Sequence, residues 1–232
     1  MKTDEGKGLR QGVVIVAGGA GRRMGSGIPK QYREIAGKAV ILYTLERFRI
    51  FDPAISIVVV LASGHRNYWE KAVGSAVAGI AIAPGGTTRY DSVKNGLLLM
   101  DTGVELIGIH DAVRPLVSQG TLERCYASAA GKGSGIPVIE MDETVRIQKG
   151  EGHSEHLDRS LLRRVQTPQV FRAECIRNAY RQAFQPDFTD DASVYESLYG
   201  EVSLVKGNPE NIKITTPVDL MLASLLIDQR SF

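Results

Sequence analysis

Short apolar segments alternate with amphipathic segments along the first 140 residues, and this alternation constrains the fold more than any other feature. The strand candidates are Gly12–Val16, Ile55–Leu61, Ile80–Ala83, Leu106–His110 and Gly135–Ile139. Their almost continuous apolar character is typical of parallel strands that are covered on both faces. The helical patterns between them are Val40–Arg49, Asn67–Val77, Ser92–Met100 and Thr121–Ala130. Strands and helices in this order predict an α/β protein with a doubly wound, mostly parallel sheet.

The alternation breaks at residues 141–158. Apolar and polar residues alternate there on both sides of Gly150–Gly152, which predicts a β-hairpin. A hairpin of this kind has little core beneath it, so it is either a surface feature or an arm that packs on a second subunit. The elements predicted beyond it are a helix near Cys175–Phe184, a turn at Phe188–Asp191, a helix at Ala192–Tyr199, a strand at Val202–Val205 and a final helix from Pro217. Because no linker, repeat or low-complexity segment interrupts residues 1–232, we expect a single domain.

The composition argues against several classes of protein. With 43% hydrophobic and 23% charged residues the chain has the balance of a globular protein, and its net charge of +2 gives no reason to expect nucleic acid or an anionic membrane as a partner. The polar start lacks the apolar core of a signal peptide, and the longest apolar run, residues 54–62, is too short to span a bilayer. Cys125 and Cys175 have no metal-ligand spacing, which favours two unpaired thiols in a reducing cytoplasm.

A glycine-rich turn follows the first strand candidate. Its sequence is AGGAGRRMGSGIPK, and no acidic residue lies between Gly18 and Lys30. Backbone N–H groups in such a turn, together with Arg23 and Lys30, favour an anion with several phosphates, although a glycine-rich turn by itself can merely reverse the chain. A dinucleotide site would need the spacing GxGxxG and an acidic residue after the second strand, where Leu61 and Ala62 stand. A Walker loop does not fit, because Lys30 is neither preceded by glycine nor followed by serine or threonine.

Polar sequences also follow the third and fourth strand candidates, GGTTR at 85–89 and HDAVRP at 110–115. Ligands of doubly wound sheets bind at the carboxyl ends of the strands, so we expect one shared site there. A carboxylate beside phosphates suggests a Mg²⁺ ligand, which makes Asp111 a candidate, with an N-cap or a partner for Arg114 as the alternative. His110 fits a packed strand residue better than a base, and Arg114 is a candidate for holding a second anionic substrate.

Cations are prominent in two segments of the C-terminal third. Lys213 lies between two isoleucines in NIKIT, so its ammonium group reaches either an anion or solvent. The stretch from Arg159 to Gln169 also contains Arg163 and Arg164 and no acidic residue, and it is either a solvated helix end or part of the site. His153 and His156 in the polar hairpin have no matching cysteine or carboxylate pattern, which argues against a metal there.

Seven motifs occur in order along the chain: AGGAGRRM, PKQY, GGTTRYDSV, HDAVRP, DRSLL with TPQVF, TDDAS, and NIKIT. In this order they resemble the 2-C-methyl-D-erythritol 4-phosphate cytidylyltransferase family, from about Gly12 to the end of the chain. The resemblance implies a Rossmann-like nucleotidyltransferase fold with a protruding hairpin arm, residues 141–158, through which two subunits interlock as a homodimer. It also implies transfer of a cytidylyl group from CTP to 2-C-methyl-D-erythritol 4-phosphate in isoprenoid biosynthesis, with release of pyrophosphate.

By position, the resemblance implies functions for individual residues of this chain. Those implied to bind the nucleotide are Ala17, Gly18, Gly19, Gly21, Arg23, Lys30, Gly85, Gly86, Ser92 and Asp111. Those implied to bind the sugar phosphate are Arg114, Thr144, Arg159, Thr167, Thr189 and Lys213. Those implied to be catalytic are Arg23, Lys30, Asp111, Arg159 and Lys213. Asp111 would hold Mg²⁺ or another divalent cation, and Thr144 and Arg159 of the arm would act in the site of the other subunit.

Alternatives to this function differ in what they require of the sequence. The valine in HDAVRP is also similar to ribitol-5-phosphate cytidylyltransferases, whereas TDDAS and DRSLL favour methylerythritol phosphate. A silent nucleotide-binding regulatory protein would fit the loss of Lys30, Asp111 or Lys213, and all three are present. A nicotinamide oxidoreductase is disfavoured by the missing acidic residue after the second strand. For the implied transfer, a phosphate monoester is already ionised near neutral pH, so catalysis would rest on positioning and electrostatics rather than on a base.

Overall fold

A central sheet with helices on both faces organises the protein, as the computed structural model shows for residues 8–18, 27–74 and 79–229. The strands are β1 (Gln11–Ala17), β2 (Glu34–Ile35), β3 (Lys38–Ala39), β4 (Ser56–Leu61), β5 (Ala81–Pro84), β6 (Leu106–Asp111), β7 (Ser134–Glu140), β8 (Val145–Gly150), β9 (His153–Leu157), β10 (Arg163–Val165), β11 (Gln169–Arg172) and β12 (Leu204–Lys206). The α-helices are α1 (Val40–Phe51), α2 (Arg66–Val73), α3 (Arg89–Leu99), α4 (Gln119–Lys132), α5 (Ala173–Ala179), α6 (Asp191–Tyr199) and α7 (Pro217–Asp228). Lys30–Tyr32 and Arg159–Leu161 are short 3-10 helices.

Most strand pairs of the central sheet are parallel. The strand order is β5, β4, β1, β6, β11, β7, and β10 and β12 also pair with β7. β5, β4, β1 and β6 are parallel to one another, and β12 is parallel to β7, whereas β10 and β11 run antiparallel to their neighbours. Val14 of β1 is in register with Val58 of β4 and with Ile109 of β6. The predicted α/β fold with a mostly parallel sheet is confirmed.

The residues of β1 explain why helices cover both faces. Val13 and Ile15 belong to a core formed with α1, α2 and α4, whereas Val14 belongs to a second core formed with α3, α5 and α6. Successive side chains of a strand point to opposite faces, so a strand that is buried on both faces is apolar at nearly every position. Clusters of polar side chains are therefore found where such a strand ends, and the site motifs lie at these ends.

A smaller third core fixes the segment of residues 211–215. Ile214 packs in it with residues of α7, and its N–H donates to the carbonyl oxygen of Val113 at 2.9 Å. Helix α7 begins behind a capping box in which Thr216 and Asp219 accept from each other's backbone N–H groups. These contacts hold the segment against the loop that follows β6.

The arginine-rich stretch from Arg159 differs from the predicted helix end. It forms a 3-10 turn followed by β10 and β11, which pair with β7. The sequence pattern gives no strand signal there, because two of the three residues of β10 are arginines and its conformation depends on pairing with β7. The helix predicted near Cys175–Phe184 ends earlier, at Ala179.

The five strands predicted in the first 140 residues correspond to β1, β4, β5, β6 and β7, and the helices predicted between them correspond to α1, α2, α3 and α4. One predicted helix, Asn67–Val77, ends earlier than expected, because α2 stops at Val73 in front of Gly74, whose φ is +51°. Residues 75–77 of that prediction lie outside the described part of the chain. Cys125 and Cys175 are free thiols, as predicted, and burial raises the pKa of Cys125 to about 12.

Residues 141–158 contain the predicted hairpin. Strands β8 and β9 are antiparallel and meet at Gly150 and Gly152, whose φ angles of 133° and 72° favour glycine. Almost all side chains of the two strands are exposed, and Val145 and Leu157 are partly buried. The function of this hairpin as a dimerisation arm and the single-domain organisation stay predictions.

None of the helices described for this chain combines the length and apolar character needed to cross a membrane.

Gly96 lets α3 lie directly on β1 and β4. A Cβ atom at this position would lie 2.5 Å from Cγ1 of Val14 and 2.9 Å from Cγ2 of Val60. We therefore expect Gly96→Ala to lower the free energy of unfolding by about 1–3 kcal/mol, as overpacking does in a filled core. Gly131 in α4 is the matched control, because a Cβ atom there meets nothing within 4 Å. Urea unfolding of both alanine variants checks the prediction, and equal effects on the free energy of unfolding would contradict it.

Candidate functional site

The carboxyl ends of β1, β5 and β6 meet at one cavity of about 230 Å³. The sequence-predicted site residues that line it are Ala17, Gly18, Lys30, Gly86, Ser92, Asp111 and Lys213. They come from both ends of the chain and from its middle, and the parallel sheet brings them together. The expected convergence of the three strand ends is therefore observed.

Asp111 lies at the end of β6, where its carboxylate contacts two cations. Its Oδ2 atom is 3.0 Å from Nζ of Lys213 and 3.3 Å from Nε of Arg114. Burial by itself would raise the pKa of this carboxyl group, but the charges of Lys213, Arg89 and Arg114 outweigh that effect and hold the pKa well below its usual range. The side chain is 10% exposed, so Asp111 is an ionised carboxylate that is almost completely enclosed by protein.

Lys213 reaches Asp111 because the backbone beside it is fixed. The carbonyl oxygen of Asn211 accepts from Nη1 of Arg114 at 2.7 Å, and Nδ2 of Asn211 donates to the carbonyl oxygen of Thr167 at 2.9 Å. The Lys213 side chain remains 41% exposed on the side of the cavity. Its ammonium group therefore contacts an anionic side chain and also borders the cavity.

His110 is a packed strand residue, as predicted. It is fully buried, and its ring lies edge-on to Phe48 with the ring centres 5.0 Å apart. Nδ1 is 3.1 Å from Oγ1 of Thr167, and Nε2 is 3.2 Å from the carbonyl oxygen of Arg114. Burial lowers its pKa to about 4, so the ring is neutral near pH 7. An enclosed imidazole with partners at both ring nitrogens and a lowered pKa is unsuited to act as a base on a molecule in the cavity.

Lys30 lies in a 3-10 helix that its neighbours fix to the end of β1. Gln31, which is 1% exposed, donates from Nε2 to the carbonyl oxygen of Ala17 at 2.7 Å and lies 3.2 Å from Nδ1 of His65. Tyr32 is also buried. The backbone of Lys30 therefore has a defined position beside the cavity, and neither Gln31 nor His65 was given a function from the sequence.

The turn between β5 and α3 forms another wall of the cavity. The N–H of Gly85 donates to the carbonyl oxygen of Leu61 at 2.7 Å, and the N–H of Gly86 donates to Oγ of Ser92 at 3.0 Å. A Cβ atom at Gly86 would overlap Asp91, so this turn requires glycine. The first residues of α3 line the cavity, and the positive end of the helix dipole therefore faces it.

The ion pair between Arg89 and Asp191 was not predicted from the sequence. Arg89 donates from Nη1 and Nη2 to the two carboxylate oxygens at 2.8 and 2.7 Å. Tyr180 donates its hydroxyl hydrogen to Oδ1 of Asp191 at 2.6 Å. Asp191 is fully buried, whereas Arg89 lines the cavity. The available signal was that GGTTR contributes one cation and TDDAS two acidic residues to the same family pattern.

Six of the predicted residues that the structure describes do not line the cavity, and one of them, Gly85, directly precedes the lining residue Gly86. Arg114 and Thr167 are packed behind Asp111, whose backbone N–H donates to Oγ1 of Thr167 at 3.1 Å. Thr144 and Arg159 are exposed beside the open end of the hairpin. Thr189 is exposed in the turn before α6. Gly19, Gly21 and Arg23 lie outside the described residues.

The side chains at the cavity that could act as metal ligands indicate how a divalent cation would bind there. Within residues 8–18, 27–74 and 79–229, no cluster of three or more His, Cys, Asp or Glu side chains is arranged to hold a metal ion. The carboxylate of Asp111 does line the cavity. Mg²⁺ commonly uses one or two protein carboxylates when phosphates and water supply its other ligands. The residues therefore fit a cation that binds together with a polyphosphate.

Comparison with known proteins identifies similar chains. Residues 12–229 match the family model of 2-C-methyl-D-erythritol 4-phosphate cytidylyltransferase. The chain is 49% identical over 216 residues to a protein of that name from Bacteroides fragilis, with 92% of this chain and 98% of the relative covered. It is 45% identical over 221 residues to one from Bacteroides thetaiotaomicron, with 94% and 100% covered.

Solved structures with similar folds carry the names of the same family. The crystal structure of 2-C-methyl-D-erythritol 4-phosphate cytidylyltransferase from Thermus thermophilus matches 95% of this chain and 100% of its own, with a TM-score of 0.77 at 30% identity. The structure of 4-diphosphocytidyl-2C-methyl-D-erythritol synthase from Anaerococcus prevotii matches 96% of this chain and 100% of its own, with a TM-score of 0.81 at 26% identity.

Proposed function

The chain belongs to the 2-C-methyl-D-erythritol 4-phosphate cytidylyltransferase family and is a nucleotidyltransferase, and we propose that the cavity at the carboxyl edge of its sheet is the active site. The reaction transfers a cytidylyl group from CTP to 2-C-methyl-D-erythritol 4-phosphate. A phosphate oxygen of the acceptor bonds to the α-phosphorus, the bond to the bridging oxygen breaks, and pyrophosphate leaves. The observation that carries the proposal is the meeting of Lys30, Asp111 and Lys213 in one cavity.

CTP binds between the turn after β1 and the turn after β5 in this proposal. A Cβ atom at Gly18 would lie 3.4 Å from Oγ of Ser92, so side chains in the first turn would narrow the space between the two turns. Lys30 supplies positive charge for the phosphates, and the family pattern adds Arg23 and the backbone of residues 17–21. The positive end of the α3 dipole favours negatively charged or electron-rich groups of the ligand.

Catalysis rests on fixed charge and positioning. The acceptor phosphate is ionised near neutral pH and needs no base, and the enclosed position of His110 agrees with this. Lys30 and Lys213 stabilise the negative charge that develops on the phosphates during in-line displacement. The contact with Asp111 keeps Lys213 beside the cavity, so its charge is already in place when the phosphates enter.

Asp111 is the residue that would hold Mg²⁺ in this site. Its pKa is well below the usual range, so the carboxylate is ionised and able to coordinate a cation. A bound divalent cation supplies charge neutralisation for the triphosphate and the leaving pyrophosphate.

The acceptor binds beside Arg114, Thr167 and Lys213, with Thr189 on the neighbouring turn. Thr144 and Arg159 do not line the cavity of their own chain, which supports a site completed by the hairpin arm of a second subunit. The exposure of apolar side chains near the arm also supports a dimer with crossed arms. Two-stranded hairpins are marginally stable in water on their own, and the apolar side chains of Ile147, Leu161 and Val165 in and beside this arm are exposed. A homodimer in which the arms cross would cover them.

Pyrophosphate release is the direct test of this function. The full chain is incubated with CTP and Mg²⁺ and with either 2-C-methyl-D-erythritol 4-phosphate or ribitol 5-phosphate. We expect kcat/KM for methylerythritol phosphate to be higher by about a hundredfold or more, because a site built around polar contacts discriminates strongly between hydroxyl patterns. A preference for ribitol phosphate would contradict the acceptor assignment. If protein that unfolds cooperatively releases no pyrophosphate with either acceptor, the assignment as a cytidylyltransferase is contradicted.

Lys30→Ala tests the charge-based mechanism. We expect kcat to fall by about 10²–10³-fold, the range for losing one preorganised electrostatic group, with little change in the urea midpoint. Lys71→Ala, at an exposed position of α2, is the control for loss of one lysine and should leave kcat unchanged. Turnover near that of the unmodified protein would exclude a catalytic function for Lys30.

Complementation between two inactive variants tests the crossed arm. In a mixed dimer of Lys30→Ala and Arg159→Ala chains, a site that uses Arg159 of the other subunit has one intact copy. Random mixing makes about half of the dimers mixed, so unfolding and refolding the variants together should restore about a quarter of the original rate. If each site uses its own Arg159, no intact site forms and activity stays at the level of the single variants.

A further inference from the structure

Arg89 connects two parts of the site that the family pattern assigns to different substrates. It is the first residue of α3, directly after the turn that carries Gly86, and it lines the cavity. Its partner Asp191 is the first residue of α6, two positions after Thr189. We propose that Arg89, held by Asp191, is a positioning residue that fixes the Thr189 turn against the nucleotide-binding turn. The proposal rests on the proposed function, which assigns Thr189 to the acceptor.

The nucleotide side of this connection is rigid. Oγ of Ser92 accepts from the N–H of Gly86 at 3.0 Å and donates to the carbonyl oxygen of Thr88 at 2.9 Å. Thr88 in turn forms a capping box with Asp91. Arg89 therefore extends from a turn whose backbone is fixed on both sides.

The acceptor side is fixed to the sheet by Gln169 of β11. Its Nε2 atom donates to Oδ2 of Asp190 at 2.8 Å, and its Oε1 atom accepts from the N–H of Ala192 at 2.8 Å. Asp191 lies between these two contacts and points to α3, where it binds Arg89. The Thr189 turn is thus attached to the sheet through Gln169 and to the nucleotide-binding turn through Asp191.

The geometry of the ion pair suits a fixed connection. Asp191 is fully buried and accepts from both Nη atoms of Arg89 and from the hydroxyl of Tyr180. Burial alone would lower the pKa of Arg89, but Asp191 outweighs this and raises it, so the guanidinium stays charged. A bidentate pair defines both distance and orientation, which a single lysine contact does not. The charge of Arg89 is also among those that lower the pKa of Asp111.

Arg89→Lys tests the positioning function because it keeps the charge and loses the bidentate contact. We expect KM for the acceptor to rise by about tenfold or more, since small misplacements of binding groups have effects of this size. The affinity for CTP, titrated without acceptor, should change by less than about threefold, because the nucleotide turn keeps its own hydrogen bonds. Asp191→Asn, which keeps the shape of the side chain, should give the same split between acceptor KM and CTP affinity.

Matched variants separate this function from a general loss of structure. Arg66→Lys makes the same substitution in an exposed ion pair with Glu70, 2.8 Å long, and should leave both constants unchanged. Tyr180→Phe removes a donor to Asp191 but keeps the bidentate pair, and it should raise acceptor KM less than Arg89→Lys does. The double variant of Arg89→Lys and Asp191→Asn should be no worse than the stronger single variant, because the two residues act as one unit.

The outcomes distinguish the proposals. Unchanged acceptor KM in both single variants, with an active parent protein, would overturn the positioning function and leave the proposed function intact. Loss of CTP affinity equal to the rise in acceptor KM would also overturn it. If the parent protein itself releases no pyrophosphate, the proposed function fails first. Should Asp191→Asn unfold, the comparison of Arg89→Lys with Tyr180→Phe still decides.

Discussion

The ionised carboxylate of Asp111 at the end of β6 is the interaction on which the rest of the site depends. An almost buried charge is tolerated only when partners compensate for the lost hydration. Here Arg114 contacts it from the following loop and Lys213 from the segment before α7, and Arg89 contributes charge from the start of α3. Since these cations are far apart in the sequence, the requirements of one carboxylate bring together three separate segments.

The parallel sheet determines where such a cluster can form. The apolar side chains of β1 and β6 within the sheet are covered by one of two cores, so charged groups are excluded until the strands end. At that edge the chain leaves the sheet at Ala17, at Gly85 and at Asp111, and each exit supplies different chemistry. The exit after β5 supplies Gly86 and the start of α3, and side-chain charge comes from Asp111 and from the residues packed around it. The charged groups that line the cavity therefore lie at the edge of the sheet, beyond the apolar side chains of β1 and β6.

Much of this arrangement follows from local sequence, and the exceptions have physical reasons. The apolar runs predict the strands and their order of alternation, and the polar motifs that follow them predict the edge at which the site lies. Strands β10 and β11 were missed because their conformation depends on pairing with β7, which no local pattern records. The pair of Arg89 and Asp191 was missed for the same reason, because 102 residues separate its members. For Lys213 the sequence left two possibilities, and the contact with Asp111 depends on packing of Ile214 beneath it.

Two ion pairs at this site differ in burial, and this difference suits them to the different functions proposed for them. Asp191 is completely enclosed and accepts three hydrogen bonds, so exchanging its partner would leave an uncompensated charge in the core. Asp111 faces the cavity and contacts Lys213 through one oxygen, and the lysine side chain is 41% exposed. A contact of that kind can be rearranged at little cost when phosphates enter, because the ammonium group has water and ligand oxygens as alternative partners. The buried pair is therefore suited to hold parts of the site in place, and the accessible pair is suited to take part in binding.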